Sequence, residues 1–96
     1  MHEGSKHQKI KEGITQGISS FIYKNPDKVG SMSVYDVFLT PDCMAAKVFI
    51  SCDNISAVEK LKKLKNKIYD EIKTIYQSKY LPSIEYIQIK DEENNF

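Results

Sequence analysis

Two strand-like runs separated by a short turn constrain this chain more than any other feature. Ser31 to Leu39 is enriched in β formers, with Met32, Val34, Tyr35, Val37, Phe38 and Leu39. From Met44 to Cys52, the residues Met44, Ala46, Val48 and Ile50 alternate with Ala45, Lys47, Phe49 and Ser51. That period of two marks a strand with one buried face. Thr40-Pro41-Asp42 supplies the turn. So short a link joins antiparallel neighbours, because a parallel pair needs a crossover of about a dozen residues. A β-hairpin is therefore required, and the rest of the chain must pack around it.

Two amphipathic segments provide the packing. Ile10, Ile14, Ile18, Phe21 and Ile22 follow one another at helical spacing between about Ser5 and Lys24. Ser5 is the expected N-cap. Gly13 and Gly17 each cost about 1 kcal/mol relative to Ala inside such a helix. Asn25-Pro26-Asp27 stops it, since the residue before a proline avoids the α region. Val29-Gly30 closes that connection. After the hairpin, Ser56 and Glu59 form a Ser-x-x-Glu capping pattern. Ala57, Val58, Leu61, Leu64, Ile68, Ile72, Ile75 and Tyr76 then mark a helical region reaching to about Lys79. On a straight helix counted from Lys60, residues Leu61, Leu64, Ile68, Ile72 and Ile75 fall between about 40° and 120°. Nothing from Lys60 to Lys79 is Gly or Pro, so a kink is expected at Asn66, which tolerates a left-handed backbone. Leu81-Pro82-Ser83 ends this region, and Ile84 to Lys90 reads as a third strand. The expected order is α-β-β-α-(kink)-α-β: a small α+β domain with its helices against one side of a three-stranded sheet.

Composition limits the function. At 96 residues the chain holds one domain, expected over residues 1–90, with a short acidic tail over 91–96. The basic residues are all Lys, 14 against 13 acids; without the three acids of the tail, 14 minus 10 leaves +4 on residues 1–90. Cys43 and Cys52 are too few for a disulfide framework. No apolar run approaches the roughly 20 residues that cross a bilayer, so a cytoplasmic, reduced setting without membrane contact is expected. Cys43 has no placed base: His2 and His7 lie near the N-terminus, where they are expected to be loose. The two cysteines and two histidines do not make a zinc pattern, and no Gly follows Gly30 to build a phosphate loop. A non-enzyme without cofactor, metal or small-molecule substrate is expected.

The strongest charge feature is Lys60, Lys62, Lys63, Lys65 and Lys67. On a straight helix Lys60, Lys63 and Lys67 share a stripe about 60° wide beside the apolar face, with Lys62 and Lys65 on the opposite flank. Such a stripe is either a solvated helix face or a phosphate-contacting one, which gains affinity by releasing condensed counterions. Lys is a point charge and does not read base edges as Arg does, so backbone- and shape-driven binding is expected. Tyr69, Tyr76, Tyr80 and Tyr86 are better explained as packing residues than as stacking platforms for bases.

The stretch Leu39-Thr40-Pro41-Asp42-Cys43-Met44-Ala45-Ala46-Lys47-Val48-Phe49-Ile50-Ser51 resembles the hairpin signature of the ribosome-binding factor A family. Thr40, Asp42, Ala46, Lys47, Val48, Phe49 and Ser51 occupy the matching places. Asn25-Pro26 with Val29-Gly30 resembles the family's approach to its first strand, and Pro82-Ser83-Ile84-Glu85-Tyr86 its closing strand. The resemblance implies a type II KH-like fold without the Gly-x-x-Gly loop of ordinary KH domains. At the family's Ala-x-Gly kink this chain has Leu64-Lys65-Asn66, and Lys79 matches one of the basic residues before the closing strand. It further implies a non-catalytic assembly factor, a monomer, that binds the immature small ribosomal subunit and its ribosomal RNA. Late maturation, including processing of the RNA 5′ end, and growth in the cold would be its settings. Lys60, Lys62, Lys63, Lys65, Lys67 and Lys79 are the candidate RNA contacts. The alternatives are a protein-interaction module and a general RNA-binding KH-like domain.

Overall fold

A computed structural model describes residues 5–52, 56–76 and 80–89. The elements are α1 (Ser5–Lys24), α2 (Pro26–Val29), β1 (Met32–Leu39), β2 (Ala45–Cys52), α3 (Ser56–Lys63), α4 (Lys65–Ile75) and β3 (Ser83–Ile89). The strands form a mixed sheet in the order β1-β2-β3, with β1 antiparallel and β3 parallel to the central β2. The crossover from β2 to β3 carries α3 and α4, as a parallel connection requires. The helices pack on one face of the sheet. This is the α+β, type II KH-like arrangement expected, with one added turn of helix.

That turn is α2. Asn25 ends α1, but Pro26 then sits at the first helical position, where its fixed φ suits a helix start and its missing N–H costs nothing. The proline therefore both stops one helix and begins the next. α2 buries Val29, and Gly30 leaves it at φ 79°. α1 starts at Ser5 and α3 at Ser56, where the sequence places helix starts. α4 ends at Ile75, short of the expected Lys79, because Tyr76 is already extended.

The core lies between the helices and the inner face of the sheet. Ile14, Ile18, Val48, Ile50, Leu61, Ile68 and Ile72 have no exposed surface. Val37, Leu39, Ala46 and Tyr86 complete the inner face. Burial pushes the Tyr86 hydroxyl well above the usual phenol range, reinforced by Tyr69. Gly13 and Gly17, which sequence reasoning counts only as a cost, make the contact between α1 and α4. A Cβ at Gly17 would lie 2.5 Å from Ile72 Cγ1 and 2.7 Å from its Cα; at Gly13 it would lie 2.6 Å from Tyr76 Cβ. Their lack of a side chain is what lets the two helices approach so closely. The same crossing is tied at its edge by Glu71, which accepts from Ser20 Oγ at 2.7 Å and Lys24 Nζ at 2.8 Å. These donors, Lys24 first, hold its carboxyl below the usual carboxylate range. His7 is held as well: it lies in α1 and its Nε2 bonds the Leu39 carbonyl at 3.0 Å.

Candidate nucleic-acid interface

The long helical region breaks at Leu64, not at Asn66. Leu64 has φ −100° and ψ 18°, which is the bridge region and needs no left-handed backbone. Its N–H is shared between the Lys60 and Leu61 carbonyls at 3.2 and 3.1 Å, and its own carbonyl accepts from Ile68 N at 3.0 Å. The helical ladder thus bends while these hydrogen bonds stay in place. Asn66 is the second residue of α4, in ordinary helical backbone. The expectation fails because a bend of this size lies within reach of any residue. Leu61 and Ile68 are fully buried on either side of it, so packing sets its position.

The break gathers positive charge. Lys60, Lys62 and Lys63 form the last turn of α3, where cations face the negative end of the helix dipole and are stabilised. Lys65 and Lys67 lie in the first turn of α4, which contains no acid. All five are exposed. Lys62 reaches Glu59 Oε2 at 3.6 Å, an exposed pair worth at most about 1 kcal/mol. Lys60, Lys63, Lys65 and Lys67 have no carboxylate partner among the described residues.

Their grouping follows the two flanks read from the sequence in part. Lys60 and Lys63, one turn apart, share a side of α3, and Lys67 follows the break on α4. Lys62 and Lys65 come together from the two helices. With Ile84, Glu85 and Tyr86 of β3 they line a depression of 300 Å³. A second depression of 510 Å³ lies along α4, lined by Asn66, Tyr69, Asp70, Lys73, Leu81, Pro82 and Ser83. Lys73 and Asn66 enter the interface here, Asn66 by its side chain rather than as a kink. Lys73 lies two turns beyond Asn66 on the same side of α4. Lys79 lies outside the described residues. Among the tyrosines, Tyr69 donates to the Pro82 carbonyl at 3.3 Å, Tyr76 packs under Gly13 and Tyr86 is buried. Tyr80 is 83% exposed.

The hairpin motif residues do a different job. Thr40 Oγ1 donates to Asp42 Oδ1 at 2.7 Å and accepts from Ala45 N at 3.1 Å. Asp42 Oδ1 also accepts from Met44 N at 3.0 Å. Together they fold the turn back on itself with Cys43 at φ 63°. The Thr40 hydroxyl and then the Met44 N–H keep the Asp42 carboxyl below its usual range. Ala46 and Val48 are core residues, Phe49 is half-buried, and Lys47 is exposed on the outer face of the sheet. The motif specifies a hairpin, and Lys47 is its one exposed cation.

No protein-family model matches the sequence, and no curated protein does. Solved structures do match. The crystal structure of ribosome-binding factor A from Thermus thermophilus superposes with a TM-score of 0.70, covering 82% of this chain and 91% of that one at 15% identity. The Thermus thermophilus ribosome-binding factor A model fitted into the cryo-electron microscopy map of a 30S complex gives 0.69, with 82% and 90% coverage at 13% identity. This chain therefore has the fold of ribosome-binding factor A over nearly that protein's whole length.

Proposed function

We propose that this chain is a non-catalytic factor that binds the small ribosomal subunit during its assembly. The observation that carries the reading is a pairing of fold and charge. The fold matches ribosome-binding factor A across 91% of its length, and that protein has been fitted into a 30S complex. At the helix break this chain concentrates five exposed lysines. Closely spaced exposed lysines suit a polyanionic ligand, which gains affinity by releasing condensed counterions.

Lys60, Lys62, Lys63, Lys65 and Lys67, with Lys79, contact phosphates of the ribosomal RNA, and the rigid domain braces RNA helices that have not reached their mature positions. Maturation of the subunit, including its RNA 5′ end, lowers the affinity and releases the factor, which is selection between particle states by differential affinity. The factor acts in the cytoplasm as a monomer, and its bracing matters most in the cold. The test is sucrose-gradient sedimentation of lysate at low and high salt, with and without nuclease. Migration with the small subunit at low salt, lost at high salt, is expected; protein only at the top of the gradient at low salt contradicts the reading.

A further inference from the structure

β1 ends the sheet on one side, and it has the features that make a strand edge pair with another chain. It is eight residues long, and its Tyr35 and Phe38 are 69% and 52% exposed. An edge of that kind is an open template for a further strand, because its outward N–H and C=O groups have no ladder partner. The ladder shows which groups those are. Thr40 N–H donates to the Ala45 carbonyl at 2.9 Å, and bonded pairs alternate along an antiparallel ladder. Phe38 with Lys47 and Asp36 with Phe49 are thus the pairs that bond across, whereas Val37 and Leu39 turn their backbone groups away from β2.

Both of these residues have an outward group already taken. The Val37 N–H donates to Asp36 Oδ1 at 2.8 Å. The Leu39 carbonyl accepts from His7 Nε2, on α1, at 3.0 Å. Between Val34 and Asp36 the register shifts, so Tyr35 has no opposite residue on β2, and a bulge of this kind bends the strand out of line. Asp36 is exposed and His7 half-buried, so neither side chain fills the core. From these three features we infer that Asp36, His7 and the Tyr35 bulge close the β1 edge to strand addition. The pairing they prevent is β1 against β1 of a second copy of this chain, since identical edges are self-complementary about a two-fold axis. The device acts on the sheet and not on the lysines, so it holds whatever the helical side binds.

The test compares the native full chain with Asp36→Val, with the double variant His7→Ala and Asp36→Val, and with Asp36→Asn, which keeps an acceptor in the same place. Sedimentation equilibrium measures self-association, and amide exchange by NMR reports on the Val37 N–H. The native chain is expected to show a protected Val37 amide at every concentration. Asp36→Val is expected to lower the concentration needed for self-association about tenfold, and the double variant further, as each freed backbone group gains a partner. In Asp36→Val the Val37 amide should exchange fast when dilute and slowly when concentrated, while Asp36→Asn behaves as the native chain. Unchanged association in the variants, association that leaves Val37 unprotected, or Asp36→Asn associating as readily as Asp36→Val would each overturn the proposal. So would a native chain already paired through β1. A native Val37 amide that exchanges as an unbonded one does would overturn it too, and that measurement stands even where a variant does not fold.

Discussion

The chain reverses or bends sharply at the Thr40–Ala45 turn and at Leu64, and the two places are held in opposite ways. At the hairpin, side chains do the holding: Thr40 and Asp42 satisfy the Ala45 and Met44 N–H groups within a span of six residues. At Leu64 no side chain caps the start of α4, and the bend is fixed by Leu61 and Ile68 filling the core on both sides. One turn is encoded where it occurs. The other is imposed by residues that meet it only in three dimensions, and it is the one that carries the candidate RNA-binding lysines.

This contrast orders the expected effects of mutation. Leu61→Ala should be the most damaging, because it empties a fully buried site beneath the bend: about 2–5 kcal/mol in chemical denaturation. A loss below about 1 kcal/mol would mean that packing does not set the bend. Gly17→Ala should cost about 1–3 kcal/mol, since its Cβ would overlap Ile72, including its backbone; neutral or stabilising behaviour would show that α4 can move away freely. Thr40→Val at the hairpin should cost about 1 kcal/mol and leave the helices unchanged by circular dichroism.

The smallest effect concerns acid. Glu71 has a folded-state pKa held below its unfolded value, so its contribution is present above the unfolded pKa of about 4 and is lost as pH falls through the folded one. Asp42 acts in the same direction. Glu71→Gln should therefore lower stability at neutral pH and flatten its decline between about pH 5 and pH 3. An unchanged pH profile would remove the Ser20–Lys24–Glu71 tie from the account of the α1–α4 crossing.

Legibility follows the same division. The hairpin, the α1 stripe and the strand faces are readable because hydrophobic period and turn chemistry are local. Pro26 reads as a stop; its second role, starting α2, shows only once Val29 is seen to reach the core. Gly13 and Gly17 look like defects in sequence, since their partners Tyr76 and Ile72 are more than fifty residues away along the chain. Asn66 suggests a kink by its tolerance of left-handed backbone, a property the actual bend at Leu64 does not use. The exposure and sign of the lysines are readable. That Lys62 and Lys65 share a flank is readable from their spacing; that this flank meets β3 is not, because β3 is remote in the sequence.

The central claim is that the lysines around Leu64 bind RNA phosphates. Its most direct measurement is the salt dependence of affinity for purified small ribosomal subunits, comparing the native chain with a variant in which Lys60, Lys63 and Lys67 are all replaced by Gln. The account predicts weaker binding and a log Kd against log salt slope shallower by about 2 to 3, one increment for each phosphate no longer neutralised. A folded variant that binds with the native affinity and slope would contradict it.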